Sequence, residues 1–121
     1  MGLTAIIKFL VPKVDDFNAP EENSGWTPIH LAAWFGHTEM FRFLASKVDD
    51  FNAPVPFGWT PLHLAARYGH TKIAKAIAVR IENPNLPTPN GETTIRLAKI
   101  GGHTEIVRFV KDLIEAKSFW G

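Results

Sequence analysis

The sequence predicts an all-α fold of repeated helix–turn–helix units, and three observations support this prediction. A nine-residue motif at 25–33 (GWTPIHLAA) returns at 58–66 (GWTPLHLAA) and, in weaker form, at 91–99 (GETTIRLAK), with a period of 33 residues. A second marker, Gly-His-Thr, recurs at 36–38, 69–71 and 102–104 with the same period. None of the nine prolines falls within a predicted helix interior. A fixed period of this length is typical of stacked repeats.

Composition excludes several classes of protein. The chain has 121 residues, of which 45% are hydrophobic, and thirteen Lys+Arg against twelve Asp+Glu give a net charge of +1. This charge is too small for electrostatic binding of nucleic acid, and no apolar run is long enough to span a membrane. The absence of cysteine excludes disulfides and thiolate chemistry. With no export signal at the start, we expect an intracellular protein, cytoplasmic or nuclear.

The first helix of each repeat is predicted from its start. Thr27-Pro28 and Thr60-Pro61 combine an N-cap residue with proline in the first turn, where its missing N–H costs nothing. The pattern predicts that these helices end at about Phe35 and Tyr68.

The second helix of each repeat follows a short turn. Gly36, Gly69 and Gly102 can adopt the left-handed conformation that closes the first helix. The next residue but one is threonine in every case, and we expect Thr38, Thr71 and Thr104 to cap the second helix. These helices carry apolar residues at helical spacing, so each needs a neighbour to cover one face.

The repeat boundaries place a partial repeat at 1–24, repeats at 25–57 and 58–90, and a C-terminal capping repeat at 91–121. The partial repeat is recovered because residues 13–20 return at 47–54. Residues 4–11 then lack a partner helix, and we expect apolar surface to be left open there. This predicts a longer array, self-association through this half repeat, or another chain that covers the surface. At the other end, the pair Phe119-Trp120 either folds back as a cap or forms a loose tail.

Residues 58–70 resemble the ankyrin repeat, because they match its signature Gly-x-Thr-Pro-Leu-His-x-Ala-Ala-x-x-Gly-His almost throughout. The resemblance covers nearly the whole chain. It implies an ankyrin-repeat solenoid of stacked antiparallel helix pairs with projecting hairpin-like loops. It also implies a protein partner, bound on a concave face formed by the loop tips and the first helices.

The chain departs from the family pattern in two places. The glycine that usually follows the second helix is replaced by Val48, Ile81 and Ile114, which predicts an altered exit from that helix. The last repeat has lost the usual proline, histidine and second alanine. Their replacements are interpreted as a polar surface that lets a terminal repeat face water, and they are Thr94, Arg96 and Lys99.

The histidines and carboxylates are interpreted as structural. All five histidines recur in phase with the scaffold: His30 and His63 in the first helices, and His37, His70 and His103 after the closing glycines. The paired carboxylates fall in loops where Asp and Asn are ordinary turn residues. We therefore predict no metal, no cofactor and no catalytic residues.

The aromatic residues are the candidate binding site. The family's variable positions map here onto an aromatic-rich set with one arginine, a composition typical of binding hot spots. The predicted partner-binding residues are Trp26, Trp34, Phe35, Phe57, Trp59, Arg67 and Tyr68. An alternative for Trp26 and Trp59 is that the two indoles stack on each other across adjacent loops.

The predicted function is non-catalytic protein–protein recognition through this aromatic-rich concave face. The alternative is a structural spacer, part of a longer ankyrin array with no partner of its own; an enzyme is disfavoured because no convergent polar site is present. The resemblance also implies a possible modification, since family loops are substrates of an asparaginyl hydroxylase that favours Leu eight residues before Asn. Asn18 and Asn52 fit that spacing.

Overall fold

The computed structural model describes residues 26–48 and 50–120, with side chains as far as residue 118. These residues form six α-helices, and none of them is in a β-strand. The helices are α1 (Pro28–Phe35), α2 (Thr38–Ala45), α3 (Pro61–Tyr68), α4 (Thr71–Ala78), α5 (Thr94–Ile100) and α6 (Thr104–Trp120). The prediction of an all-α repeat fold is confirmed. The partial repeat at 1–24, including residues 4–11, lies outside the described residues.

The first helices begin and end where the sequence predicts. At the start of α3, the Thr60 hydroxyl accepts from the His63 backbone N–H at 3.3 Å, and the Thr60 N–H donates to His63 Nδ1 at 2.9 Å. Helices α1 and α3 are followed by Gly36 and Gly69 in the left-handed conformation (φ 77° and 78°). An L side chain would be strained there, so glycine is the residue that lets the chain reverse into the second helix.

The expectation that threonine caps the second helices is wrong. Thr38, Thr71 and Thr104 are already the first helical residues. The N-cap residues of α2 and α4 are His37 and His70, which make no side-chain cap hydrogen bond. The Thr71 hydroxyl instead donates back to the Gly69 carbonyl at 3.5 Å. The histidines are the last non-helical residues (ψ 88° at His37 and 79° at His70), so each helix starts one residue earlier than a threonine cap would require.

The helices stack in two layers. The first helices pack in the order α1, α3, α5, the second helices in the order α2, α4, α6, and each first helix contacts the second helix that follows it. The core lies between the layers. Its largest fully buried aliphatic and aromatic side chains include Phe41, Leu44, Leu62, Ile73, Ile77, Ile106 and Val110.

Hydrogen bonds between adjacent repeats fix their relative position. His70 Nε2 lies 2.6 Å from the Trp34 carbonyl oxygen, and His103 Nε2 makes the equivalent contact with the Arg67 carbonyl at 3.0 Å. Each bond joins the turn of one repeat to the C-terminal end of the preceding first helix. The scaffold role predicted for His70 and His103 is therefore visible as a contact between repeats.

The exits from α2 and α4 are right-handed. Ser46 (φ −78°) and Val79 (φ −73°) follow the two helices, so neither exit uses the left-handed conformation of the glycine turns. The third such exit, aligned at Ile114, does not occur because α6 continues through Trp120. The backbone at Phe119 and Trp120 thus extends a helix; the side chains of both lie outside the described residues.

Only two of the three substituted side chains in the last repeat face water. Arg96 and Lys99 are exposed, but Thr94 is fully buried, and its hydroxyl has no hydrogen-bond partner in the structure. The interpretation of Thr94 as a water-facing residue is therefore wrong. Thr94 is the first residue of its helix, where α1 and α3 have proline. The side chain at this position is buried in all three helices.

The long α6 is held against the preceding repeat at both ends. Lys75 of α4 forms an ion pair with Glu105 in the first turn of α6, at 2.6 Å. In the last turn, Lys117 Nζ donates to the carbonyl oxygens of Ile81 and Glu82 at 2.7 and 3.0 Å. Lys117 thus provides hydrogen bonds for two carbonyls in the loop that follows α4. The additional length of α6 is what brings this lysine to the loop.

Candidate functional site

The structure brings the predicted partner-binding residues together on one surface. We call this surface the aromatic face and define it by Trp26, Trp34, Phe35, Phe57, Trp59, Arg67 and Tyr68. The C-terminal turns of α1 and α3 supply four of these residues, and the loops before α1 and α3 supply the other three. Because the repeats stack in register, equivalent positions in successive repeats become neighbours on the same side of the molecule.

The rings form one connected cluster. Trp34 contacts Trp26 (4.6 Å between ring centroids), Phe35 (5.7 Å) and Tyr68 (6.2 Å). The cluster continues along the loops, since Phe57 lies 6.1 Å from Trp26 and 6.0 Å from Trp59. Phe57 thus connects the two indoles that the sequence suggested would stack directly on each other.

A shallow pocket of about 280 Å³ opens in this cluster. Five of the rings surround it, and Leu64, which is 2% exposed, forms part of its wall. Sequence reasoning missed Leu64 because it reads as an ordinary core position of the repeat. Leu64 reaches the pocket only because the surrounding rings leave a gap above it. The spacing of residues in the sequence does not predict such a gap.

Arg67 gives the aromatic face its one charged side chain. Its guanidinium lies over the Tyr68 ring, 5.4 Å from the centroid, so the charge is held against an aromatic surface. The other polar groups of the face are the indole N–H groups and the Tyr68 hydroxyl. Hydrogen-bond donors therefore outnumber acceptors among its side chains.

The two histidines of the first helices are structural, as predicted. His30 Nε2 lies 2.6 Å from the Ala53 carbonyl, and His63 Nε2 lies 2.6 Å from the Leu86 carbonyl. Their Nδ1 atoms accept the backbone N–H of the N-cap threonines, which assigns the proton to Nε2. Burial lowers the pKa of both imidazoles, and the hydrogen bonds to the carbonyls oppose that shift only in part.

No metal site accompanies these histidines in the described part of the chain, where no group of three or more His, Asp or Glu side chains could hold an ion. Asp50 acts as a turn residue, since its carboxylate accepts the Asn52 backbone N–H at 3.0 Å. The Asn52 side chain in turn accepts from the Leu62 N–H at 2.9 Å. Asn52 thus ties its loop to the start of the next helix, and Asn18 lies outside the described residues.

A family model described as ankyrin repeats (3 copies) matches residues 1–85. The chain belongs to the ankyrin repeat family. The match ends before α5, yet α5 and α6 pack on the preceding pair as the earlier helices do, so the last repeat keeps the ankyrin arrangement after losing its signature. No curated protein matches the chain.

Membership of the family carries a general function. Ankyrin repeats are generally protein–protein interaction modules and are typically non-enzymatic. Within residues 26–48 and 50–120, no helix is both long and apolar enough to cross a membrane.

Proposed function

We propose that this ankyrin domain recognises a partner protein without catalysis, and that the aromatic face is the binding surface. The observation that carries the proposal is a continuous cluster of aromatic rings left open to solvent. Four of its side chains remain substantially exposed: Trp34 (38%), Phe35 (49%), Phe57 (55%) and Tyr68 (45%).

The energetics of burial support a binding role. A large aromatic side chain has about 200 Å² of surface, so four half-exposed rings leave several hundred Å² of apolar surface in contact with water. Contiguous patches of that size on a monomer are often functional. Covering about 100 Å² of a ring stabilises a complex by roughly 2.5 kcal/mol, so two or three rings supply useful affinity.

The shape of the face supports recognition by anchor residues. Hot spots cluster in pockets that exclude water, with aromatic and arginine side chains around them. The pocket beside Leu64 is lined by aromatic rings, with Arg67 over Tyr68, and its lining residues Trp34 and Tyr68 belong to different repeats. A partner side chain seated there would contact two repeats at once.

A peptide display library of random 12-residue segments, selected on the full chain, tests the proposal. Trp34→Ala combined with Phe57→Ala should reduce the affinity of selected peptides by at least about thirtyfold, the loss typical of one hot-spot residue. Helical content measured by circular dichroism should not change, because neither side chain belongs to the core.

Phe43→Ala is the matched control, since Phe43 is an aromatic residue of similar exposure (47%) on α2, in the other helical layer. It should bind the selected peptides as the unchanged protein does. A library that yields no binders, or binders that tolerate the folded double variant, would contradict the proposal.

A further inference from the structure

We infer that the open end of the helix stack is a second docking surface, and that its occupant is an acidic amphipathic helix of a partner protein. We define the open end by six side chains of α5 and α6: Ile95, Arg96, Lys99, Val107, Arg108 and Lys111. It shares no residue with the aromatic face, so this inference does not rest on the proposed function.

The repeat period places these residues on the side of α5 and α6 where a further repeat would pack. The positions one period of 33 residues earlier are at most 1% exposed where α5 and α6 pack on α3 and α4, and they include Leu62, His63, Ala66, Ala74 and Ala78. In the described part of the chain no helix follows α6. Their counterparts are therefore exposed or only partly buried, and these are Ile95, Arg96, Lys99, Val107 and Lys111.

The open end is strongly cationic. Two grooves of about 400 and 590 Å³ meet there at Lys99. Four cations and one carboxylate, Asp112, are among the residues that line them, although the whole chain has a net charge of only +1. A surface that only has to face water ordinarily carries charges of both signs. The cations repel one another, and carboxylates brought among them would relieve that repulsion.

The stack itself shows how a cation at this level is used. Lys75, one period before Arg108, forms an ion pair with Glu105 of the next second helix at 2.6 Å and lies 5.2 Å from the centroid of the Phe109 ring. The hydrogen bond from Lys75 lowers the pKa of the Glu105 carboxyl. Among the described residues, no carboxylate lies within 4 Å of Arg108. A helix packed on α6 could offer Arg108 the same pair of groups, a carboxylate and a bulky apolar side chain four residues later.

The open end also has the apolar surface that an amphipathic helix needs. Ile95 and Val107 are partly buried, and the neighbouring Ile100 is 51% exposed. Because Lys99 and Lys111 stand where the preceding repeat has alanine, an incoming helix lies further out than α6 lies from α4. Lysine stems can cover apolar surface while their ammonium groups reach outward. The matching helix therefore has an apolar stripe with Asp or Glu along its edges.

Two other occupants fit these observations less well. The phosphates of a nucleic acid would neutralise the cations but would leave the aliphatic side chains without an apolar partner. A second copy of the chain, joined symmetrically through the same end, would bring two sets of four cations together, and like charges across an interface are unfavourable.

A display library of amphipathic helices, selected on the full chain, tests the inference. Each member has about 20 residues, long enough to be helical in isolation, with a fixed leucine stripe and randomised flanking positions. We expect Asp and Glu to be enriched over Lys and Arg at those positions. Replacing the selected acids by Asn or Gln should weaken binding, measured by fluorescence anisotropy, by about fivefold. The loss should shrink at 1 M salt, where the Debye length is only about 3 Å.

Variants of the protein locate the binding. Lys99→Gln combined with Lys111→Gln should weaken the acidic helices by about fivefold. The matched control is Lys47→Gln combined with Lys72→Gln, which removes two exposed lysines elsewhere and should leave binding unchanged. Circular dichroism should show the same helical content in both variants. Trp34→Ala combined with Phe57→Ala should also leave these helices bound, because the aromatic face is a separate surface.

Several results would overturn the inference: a library without binders, selection of neutral or basic helices, or acidic helices that tolerate the loss of Lys99 and Lys111. A DNA duplex that competes for the open end more tightly than the helices would identify nucleic acid instead. Sedimentation showing a dimer that these lysine changes dissociate would identify a second copy. Acidic helices that lose affinity only with Trp34→Ala and Phe57→Ala would overturn this inference and leave the proposed function standing.

Discussion

Thr94 occupies the position at the start of α5 where α1 and α3 have proline. Its side chain is fully buried and its hydroxyl has no partner in the structure. A buried hydroxyl without a hydrogen bond costs roughly 1–3 kcal/mol relative to an apolar group of the same shape. The preceding residue, Thr93, has the extended conformation (ψ 167°) that a following proline requires.

We therefore predict that Thr94→Pro raises the free energy of unfolding by about 1 kcal/mol or more. The proline removes the unsatisfied hydroxyl and restricts the unfolded chain, and urea denaturation measures the change. The reverse change in the middle repeat, Pro61→Thr, should lower stability by a similar amount. A less stable Thr94→Pro protein would show that the hydroxyl has a use that the structure does not reveal.

The buried histidines predict how stability depends on pH. His30 and His63 accept a backbone N–H at Nδ1, so they are neutral in the folded state, and burial lowers the pKa of each below its ordinary value of 6.5. The unfolded chain therefore binds protons more readily than the folded protein just below pH 6.5. Stability from these residues is present above that pH and is lost as the pH falls.

Urea titrations at pH 7.5 and pH 5.5 should show a lower free energy of unfolding at the acidic pH. His63→Gln should be less stable than the unchanged protein at pH 7.5, and it should lose less stability on acidification. An unchanged pH dependence in this variant would mean that His63 is not among the groups responsible.

At the scale of the element, the turn between α5 and α6 keeps a left-handed glycine at Gly102 (φ 75°), as in the two turns before it, and has a second glycine, Gly101, where those turns have Phe35 and Tyr68. Gly101 has an ordinary negative φ of −82°, so its backbone does not require glycine. A Cβ atom there would lie 2.6 Å from the Arg67 carbonyl oxygen and 2.4 Å from His103 Nε2. Glycine is needed because the turn approaches the end of α3 this closely.

Gly101→Ala should lower the free energy of unfolding by about 1–3 kcal/mol, the usual cost of overpacking a close contact. Lys111→Ala, an exposed change on α6 of the same repeat, should alter it by less than about 0.5 kcal/mol. Thermal denaturation followed by circular dichroism compares the two. Equal stabilities would indicate that the turn can move away from α3 at little cost.

Sequence reasoning predicted the elements well because their signals are local. The Thr-Pro starts and the left-handed glycines fix α1 and α3 within their own few residues. Predictions from the sequence failed where contacts between repeats determine the structure. Thr94 is buried by neighbouring residues, although it was expected to face water. Helix α6 extends far enough for Lys117 to donate a hydrogen bond to the loop after α4. In the candidate site, the residues could be named from their positions, but the pocket wall formed by Leu64 could not.

Across the whole molecule, burial is uneven along the stack. Six residues of the middle first helix, α3, are buried, against three of α5. In a repeat protein, each unit is stabilised mainly by its immediate neighbours, so stability follows these contacts. We therefore expect helices α5 and α6 to unfold locally before helices α3 and α4.

Amide hydrogen exchange should detect this gradient, with slower exchange in α3 than in α5. Ala65 and Ala98, both fully buried, are suitable probes because they differ in the repeat they occupy and little else. Identical protection at both would show that the repeats unfold as one cooperative unit, through global opening alone.

The imidazoles that bridge the repeats have a consequence for how this protein could acquire new partners. His70 and His103 hold the main-chain carbonyls of Trp34 and Arg67, and make no use of the side chains of those residues. Natural variation or laboratory selection could therefore exchange the side chains at both positions while the framework beneath them keeps its geometry. Affinity for a new target could evolve here with little penalty in folding.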